Sequence, residues 1–270
     1  MRQRKPVSTD TERQNGTMKI IQGVAVMAVL AGSIALQAQT PAPAENTPTA
    51  DEIVAKHIEA IGGKAAIGQV KSMTIESSTS VMGNDAPTVT TVSDGVGYKN
   101  ETDFNGTKIV QCYNDKGGWM VNPMAGAADP TPMPEDQYNQ GKGQIYIGGP
   151  LYDYAAKGSK IELIGKEGPS YKIKLTSKEG TETTFLIDST SYMITTVLAK
   201  GKMQDQDVDI TSKFSDYRKT DVGYMVPYAI DIDLGQFQLS IAVKKVELNK
   251  TIDPAVFEMP KPAEAPKPAI

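Results

Sequence analysis

Between residues 71 and 248, hydrophobic and polar side chains alternate in short runs, with Gly, Asn and Asp clustered between the runs. A period of two marks strands that carry one dry face and one wet face. Tyr171, Ile173 and Leu175 alternate with Lys172 and Lys174. Val226, Tyr228, Ile230, Ile232 and Leu234 alternate with Pro227, Ala229, Asp231 and Asp233, and Phe237, Leu239, Ile241 and Val243 carry the pattern into the next run. The phase then flips across Lys244-Lys245 to Val246 and Leu248, as a β-bulge would make it. Met73, Ile75 and Val81 form a further alternating series among hydroxyl-bearing neighbours. Turn signals at 83–85, Asp94-Gly95, Asn105-Gly106, Glu179-Gly180, Gly201 and Leu234-Gly235 divide the span into about eleven strands, mostly joined by hairpins. A meander this long does not stay flat. The chain is expected to be mainly β, a half-open antiparallel β-barrel whose dry faces line the concave side.

Two segments break the period. Thr49-Ala50-Asp51-Glu52 has the form of a capping box, and Ile53, Val54, His57, Ile58 and Ile61 follow on one stripe at helical spacing. Gly62-Gly63 ends that helix, and a shorter turn spans 64–70. One helix with one apolar face needs a sheet to lie on, and it is expected to plug or lid the barrel. Residues 122–149 are rich in Pro and Gly, with one helical turn expected over 135–140. A long irregular insertion in a compact domain is more often functional than neutral.

The termini read differently. Met18-Lys19 and the apolar run from Val24 to Leu36 resemble a secretory signal, too short for a transmembrane span, with Ala38 offering the cut before Gln39. Residues 1–17 are polar and charged, either a long n-region or a stretch upstream of a true start at Met18. A Pro/Ala/Thr linker at 39–48 and a Pro/Ala/Lys tail at 261–270 lack the apolar surface to fold, leaving one domain over 49–260. Loss of residues 1–38 removes five basic residues (Arg2, Arg4, Lys5, Arg13, Lys19) and two acidic ones (Asp10, Glu12) from totals of 28 and 32, leaving a net charge of −7. That charge argues against a nucleic-acid partner and against adhesion to anionic membranes. No cysteine stands at the cleavage region to carry a lipid anchor, and Cys112 is alone, so the fold must stand on its core.

Candidate chemistry is sparse. Cys112 reads as a small buried hydrophobe, and His57, the one histidine, as a residue at the helix–sheet boundary with no second His or Cys to share a metal. Asp205, Asp207 and Asp209 have D-x-D-x-D spacing, but Ile210 and Asp216 stand where a calcium loop needs Gly and Glu, so solvated carboxylates on an outer strand face are expected. Ser77-Ser78 and Ser189 lack a nucleophile-elbow context. Trp119, the only tryptophan, is either core or a residue at a cavity mouth. Met73, Met120, Met124, Met193 and Met225 supply adaptable apolar surface.

Five groups of residues, in order along the chain, resemble outer-membrane lipoprotein-sorting proteins of the LolA/LolB type as they occur in Bacteroidetes. They are the helix from Ala50 to Gly63, Gly118-Trp119-Met120-Val121-Asn122-Pro123, Gly149-Pro150-Leu151-Tyr152-Asp153-Tyr154 with Lys157-Gly158, Phe214-Ser215-Asp216-Tyr217 with Met225-Val226-Pro227-Tyr228, and Ile252-Asp253-Pro254 with Phe257-Glu258-Met259-Pro260. The resemblance implies a half-open barrel with the N-terminal helix as lid over an apolar cavity. It also implies a periplasmic, non-catalytic, monomeric carrier of lipid or lipoprotein acyl chains that meets inner- and outer-membrane sorting components and needs no cofactor. The side chains expected to line the cavity are Ile75, Trp119, Ile173, Leu175, Phe185, Ile230, Ile232, Leu239 and Ile241. The alternative on the same scaffold is a protein-interaction or envelope-stress sensing module with a filled core, binding through residues 122–149.

Overall fold

The computed structural model describes residues 47–203 and 206–261. The signal segment, residues 39–46 of the linker, Asp205 and the tail beyond residue 261 lie outside the described residues.

Helix α1, Ala50–Ala60, begins with the expected capping box: Thr49 Oγ1 accepts the Glu52 amide at 3.2 Å, and the Thr49 amide donates to Glu52 Oε2 at 2.7 Å. Such a cap contributes about 1 kcal/mol. The helix ends at Ile61, whose carbonyl accepts the amide of Met225 at 3.0 Å and so ties the helix to the sheet. Gly62 follows at φ 120°, where a Cβ would stand 2.5 Å from the Gly223 carbonyl oxygen, so only glycine fits. A second short helix, α2, runs over Gly63–Gln69.

Thirteen strands then form one sheet, all neighbouring pairs antiparallel. The first six are β1 (Ser72–Val81), β2 (Asn84–Ser93), β3 (Gly97–Phe104), β4 (Thr107–Asn114), β5 (Gly118–Asn122) and β6 (Ala127–Pro132), which step outward to one edge. The chain then crosses to the opposite edge. From there β7 (Lys160–Glu167), β8 (Ser170–Thr176), β9 (Glu182–Asp188), β10 (Ile194–Met203), β11 (Gln206–Lys219), β12 (Met225–Asp233) and β13 (Gln238–Leu248) step back until β13 pairs with β1. The two edges, β6 and β7, do not pair, so the barrel stays half open. Residues 133–159, with helix α3 (Glu135–Gly141) and a 3-10 turn at Lys142–Ile145, join those edges. They therefore have to span the opening.

The expected bulge is present. Glu76 pairs with Lys245 but Ser77 pairs with Val243, leaving Lys244 as the extra residue. Two expectations need correction, the strand number and the turn at Gly201. The strands number thirteen, because residues 127–132 form β6 instead of opening a loop; an edge strand tolerates Pro130 and Pro132, whose missing N–H groups face no partner. Gly201 marks no turn and lies inside β10, where Ile210 covers the space a Cβ would take. The N-terminal helix closes one end: Ile53, Val54, Ile58 and Ile61 pack on Tyr171, Ile173 and Ile187 of β8 and β9, and the opening itself is covered by residues 133–159.

The outer face carries its own small core under the C-terminal segment. The 3-10 turn Pro254–Phe257 lays the Phe257 ring over Gly97, where any Cβ would sit within 2.7 Å of it. The Phe257 carbonyl accepts from Trp119 Nε1 at 3.0 Å, Asn114 Nδ2 at 2.9 Å and Cys112 Sγ at 3.4 Å. Phe257→Ala should empty this slot and lower the unfolding free energy by about 3–5 kcal/mol in chemical denaturation; a loss under 1 kcal/mol would mean the clamp is not structural.

Candidate functional site

Strand pairing decides which residues face inward. Directly opposed residues share a face, so Ile75 with Val246, Ile241 with Ile230, and Phe185 with Val197 and Ile173 all lie on the inner side. α1 fills that side over β7–β9. Elsewhere the inner face bounds a cavity of about 1230 Å³ beneath the 138–157 stretch of the crossing segment. That exceeds the roughly 300–1,000 Å³ of ordinary small-molecule sites. A smaller cleft of about 460 Å³ lies against α2 and the Lys219–Met225 turn.

Of the nine residues expected to line a cavity, Ile75, Leu175, Phe185, Ile230 and Ile241 do so. Ile173 is on the same face but fully buried beneath α1. Ile232 and Leu239 are cross-strand partners on that face, one step nearer the 234–237 turn and outside the lining. Trp119 needs correction. It pairs with Cys112, which pairs with Lys99, and it is therefore on the outer face, packed with Val110, Cys112 and Phe257. Its neighbours in the pairing sense, Tyr98 and Tyr113, face inward. An isolated Trp in a short strand gives no sign of its parity.

Several inward residues escaped the sequence reading. Ser77 and Thr79 share the parity of Met73 and Ile75, and they meet Thr88 and Thr102 in a buried hydroxyl row. Thr88 Oγ1 lies 2.8 Å from Thr79 Oγ1 and 3.0 Å from Thr102 Oγ1, and Asn100 Nδ2 donates to Thr90 Oγ1 at 2.8 Å. The row satisfies its own hydrogen bonds, which removes the main cost of burying it. The floor is thus apolar over β10–β13 and partly polar over β2–β3.

Several contacts hold the cover, four of them at its first half. The Ile145 carbonyl accepts the Gly95 amide at 2.9 Å, the Ile147 amide donates to Asp94 Oδ1 at 2.9 Å, Lys142 pairs with Glu179 at 2.5 Å, and Tyr138 Oη donates to the Asn114 carbonyl at 2.8 Å. Tyr138 of the cover stacks on Tyr113 at a ring-centroid distance of 6.5 Å, and Tyr113 meets Tyr98 in a tilted contact at 6.0 Å. Lys157 donates to the Gly149 carbonyl at 3.0 Å and the Tyr152 carbonyl at 2.6 Å, and burial holds its ammonium below the ordinary lysine value, partly offset by Asp153 and Asp94.

A LolA superfamily protein from Nitrosomonas europaea matches with TM-score 0.53 at 12% identity, over 78% of this chain and 98% of its own. The fold is thus similar to that of this LolA superfamily protein. A DUF1329 family protein from Desulfovibrio piger matches with TM-score 0.52 at 13% identity, over 77% of this chain and 97% of its own. An outer membrane lipoprotein-sorting protein domain from Vibrio parahaemolyticus gives 0.49 at 12% identity, over 77% and 97%. No family model matches the chain, and no curated protein matches it in sequence.

Burial pushes the Cys112 thiol up to about 12, far from a reactive thiolate. No group of three or more His, Cys, Asp or Glu able to hold a metal occurs among the described residues. Asp207 and Asp209 are exposed on β11 opposite Lys202 and Lys200. His57 is buried, and its Nδ1 donates to the Tyr192 carbonyl at 2.9 Å, so the neutral ring carries its proton there. Burial holds its pKa below the ordinary 6.5, against a smaller opposing effect of that hydrogen bond. The unfolded chain therefore takes up a proton that the folded chain refuses as pH falls. Stability contributed by His57 is complete above pH 6.5 and should fall by up to about 1.4 kcal/mol per pH unit below it. Urea titrations between pH 7.5 and about 5 should show this slope in the wild type and its loss in His57→Gln.

Proposed function

We propose that this protein is a non-catalytic carrier that shelters acyl chains of lipids or lipoproteins in its inner cavity. The observation that carries the reading is the partly open cavity of about 1230 Å³ over a floor that includes Ile75, Phe185, Ile230 and Ile241. A packed sheet would have closed this space with its own side chains. Transfer of a chain from water to such a surface is favourable by roughly 0.8 kcal/mol per methylene, enough for a chain of ordinary length to be held without any covalent step. Residues 133–159 are the part that must move for a chain to enter or leave, because they alone bridge the two unpaired edges. Among the described residues no helix is long and apolar enough to cross a membrane. On this reading the protein is exported through its signal segment, works as a monomer in the periplasm, and exchanges cargo with sorting components of the inner and outer membranes. A protein-interaction module with a filled core fits less well, since it calls for a concave face packed shut.

Native mass spectrometry of protein purified from its own cell envelope should reveal co-purified lipid or lipopeptide. Ala199→Trp, which projects a large ring from β10 into the cavity, should weaken uptake of a fluorescent fatty acid at least ten-fold while leaving the circular dichroism spectrum intact. A ligand-free spectrum together with no uptake by the wild type would overturn the carrier reading.

A further inference from the structure

The charged groups on the cavity wall are Asp94, Asp115, Lys142, Asp153, Lys157, Lys178 and Glu179, and most of them have a partner. Lys142 and Lys178 both reach Glu179, at 2.5 and 3.7 Å. Asp153 pairs with Lys64 at 3.0 Å, and Asp94 accepts the Ile147 amide. Lys157 pairs with no carboxylate among the described residues. Its acceptors are the carbonyls of Gly149 and Tyr152, and its ammonium lies 4.6 Å from the ring centroid of Tyr146 and 5.8 Å from that of Tyr152.

Carbonyl dipoles and ring faces stabilise a cation but do not neutralise it. An ammonium taken largely out of water with no carboxylate in direct contact is costly, and an anion placed against it relieves that cost with a charge-assisted hydrogen bond. Lys157 lines the same cavity as Ile75, Phe185, Ile230 and Ile241. The cavity wall is thus amphipathic: on the cover a cation that makes no direct ion pair, with Asp153 and Asp94 acting on it only from farther off, and opposite it a floor that is apolar over β10–β13.

Building on the carrier reading, we propose that Lys157 anchors the headgroup of the cargo, and that the cavity takes single-chain lipids ending in an anionic group, a carboxylate or a phosphate. The chain lies on the floor and the head meets the ammonium between Tyr146 and Tyr152. If Lys157 instead only staples the cover through its two carbonyls, the charge of the head is irrelevant to binding.

The test uses the full chain, stripped of lipid, and isothermal titration with hexadecanoate, hexadecyl phosphate and hexadecanol, which share a chain length and differ in the head. The wild type should bind both anions at least ten-fold more tightly than the alcohol. Lys157→Gln should bring all three within about three-fold of one another, and Lys157→Arg should keep the preference. Thermal melting checks that each variant is folded. Should Lys157→Gln fail to fold, the wild-type ratio and the retention of preference in Lys157→Arg still decide the matter. Equal affinity for alcohol and anions in the wild type overturns the headgroup anchor and leaves the carrier reading standing. A preference that survives in Lys157→Gln overturns the assignment to this residue. Absence of binding by all three probes overturns the carrier reading itself.

Discussion

The pairing of β1 with β13 is the joint on which the molecule depends. Every other strand pair links neighbours in sequence, whereas this one joins the first strand of the N-terminal meander to the last strand of the C-terminal one. Its register has to place two independent sets of inward residues on the same side. Without a bulge, Leu239, Ile241 and Val243 could face inward only with Val246 and Leu248 turned out. The extra residue at Lys244 resolves the conflict, so that Val246 meets Ile75 and Leu248 meets Met73 on the inner face. A one-residue slip here would turn the inner wall of one meander outward. Because the pairing closes a very long loop of chain, it is also the contact with the largest entropic cost of formation.

Once the seam is set, the cavity follows from topology. The two free edges are consecutive in the chain, so the segment between β6 and β7 has to pass across the opening it connects. That segment is poor in regular structure and is held by a few specific contacts: the Lys142–Glu179 pair, the Asp94 cap on Ile147, and Lys157 between Tyr146 and Tyr152. Meanwhile α1 occupies the inner face at the β7–β9 end, and the Phe257 turn occupies the outer face at β3–β5. The sheet is covered on opposite sides at opposite ends, and the uncovered inner stretch between them is the hollow.

Much of this architecture is written locally. The capping box at Thr49, the hairpin turns, the alternation in β8, β12 and β13, and the flip at Lys244 all depend on residues a few positions apart, and each is readable from spacing alone. The cavity residues taken from the clearest alternating runs, such as Ile230 and Ile241, lie where the pattern puts them. Trp119 does not, because a five-residue strand with Gly118, Met120 and Val121 around the ring offers no polar–apolar contrast to set its face. β6 was obscured by prolines that an edge strand accepts. The inward row of Ser77, Thr79, Thr88 and Thr102 was hidden because hydroxyls look like a wet face until they are seen to bond to one another.

The sequence by itself determined the kind and approximate position of most local elements, though not their number, since caps, turns and two-residue periods act over distances that the chain closes without help from the rest of the fold. Tertiary structure alone decided which parity faces the hollow in the short strands, that α1 plugs one end while residues 133–159 cover the opening, and that Lys157 lines the cavity with no carboxylate in ion-pair contact among the described residues. Those outcomes depend on pairings between residues far apart in sequence, and a strand carries no local mark of which neighbour, or which covering segment, its faces will meet.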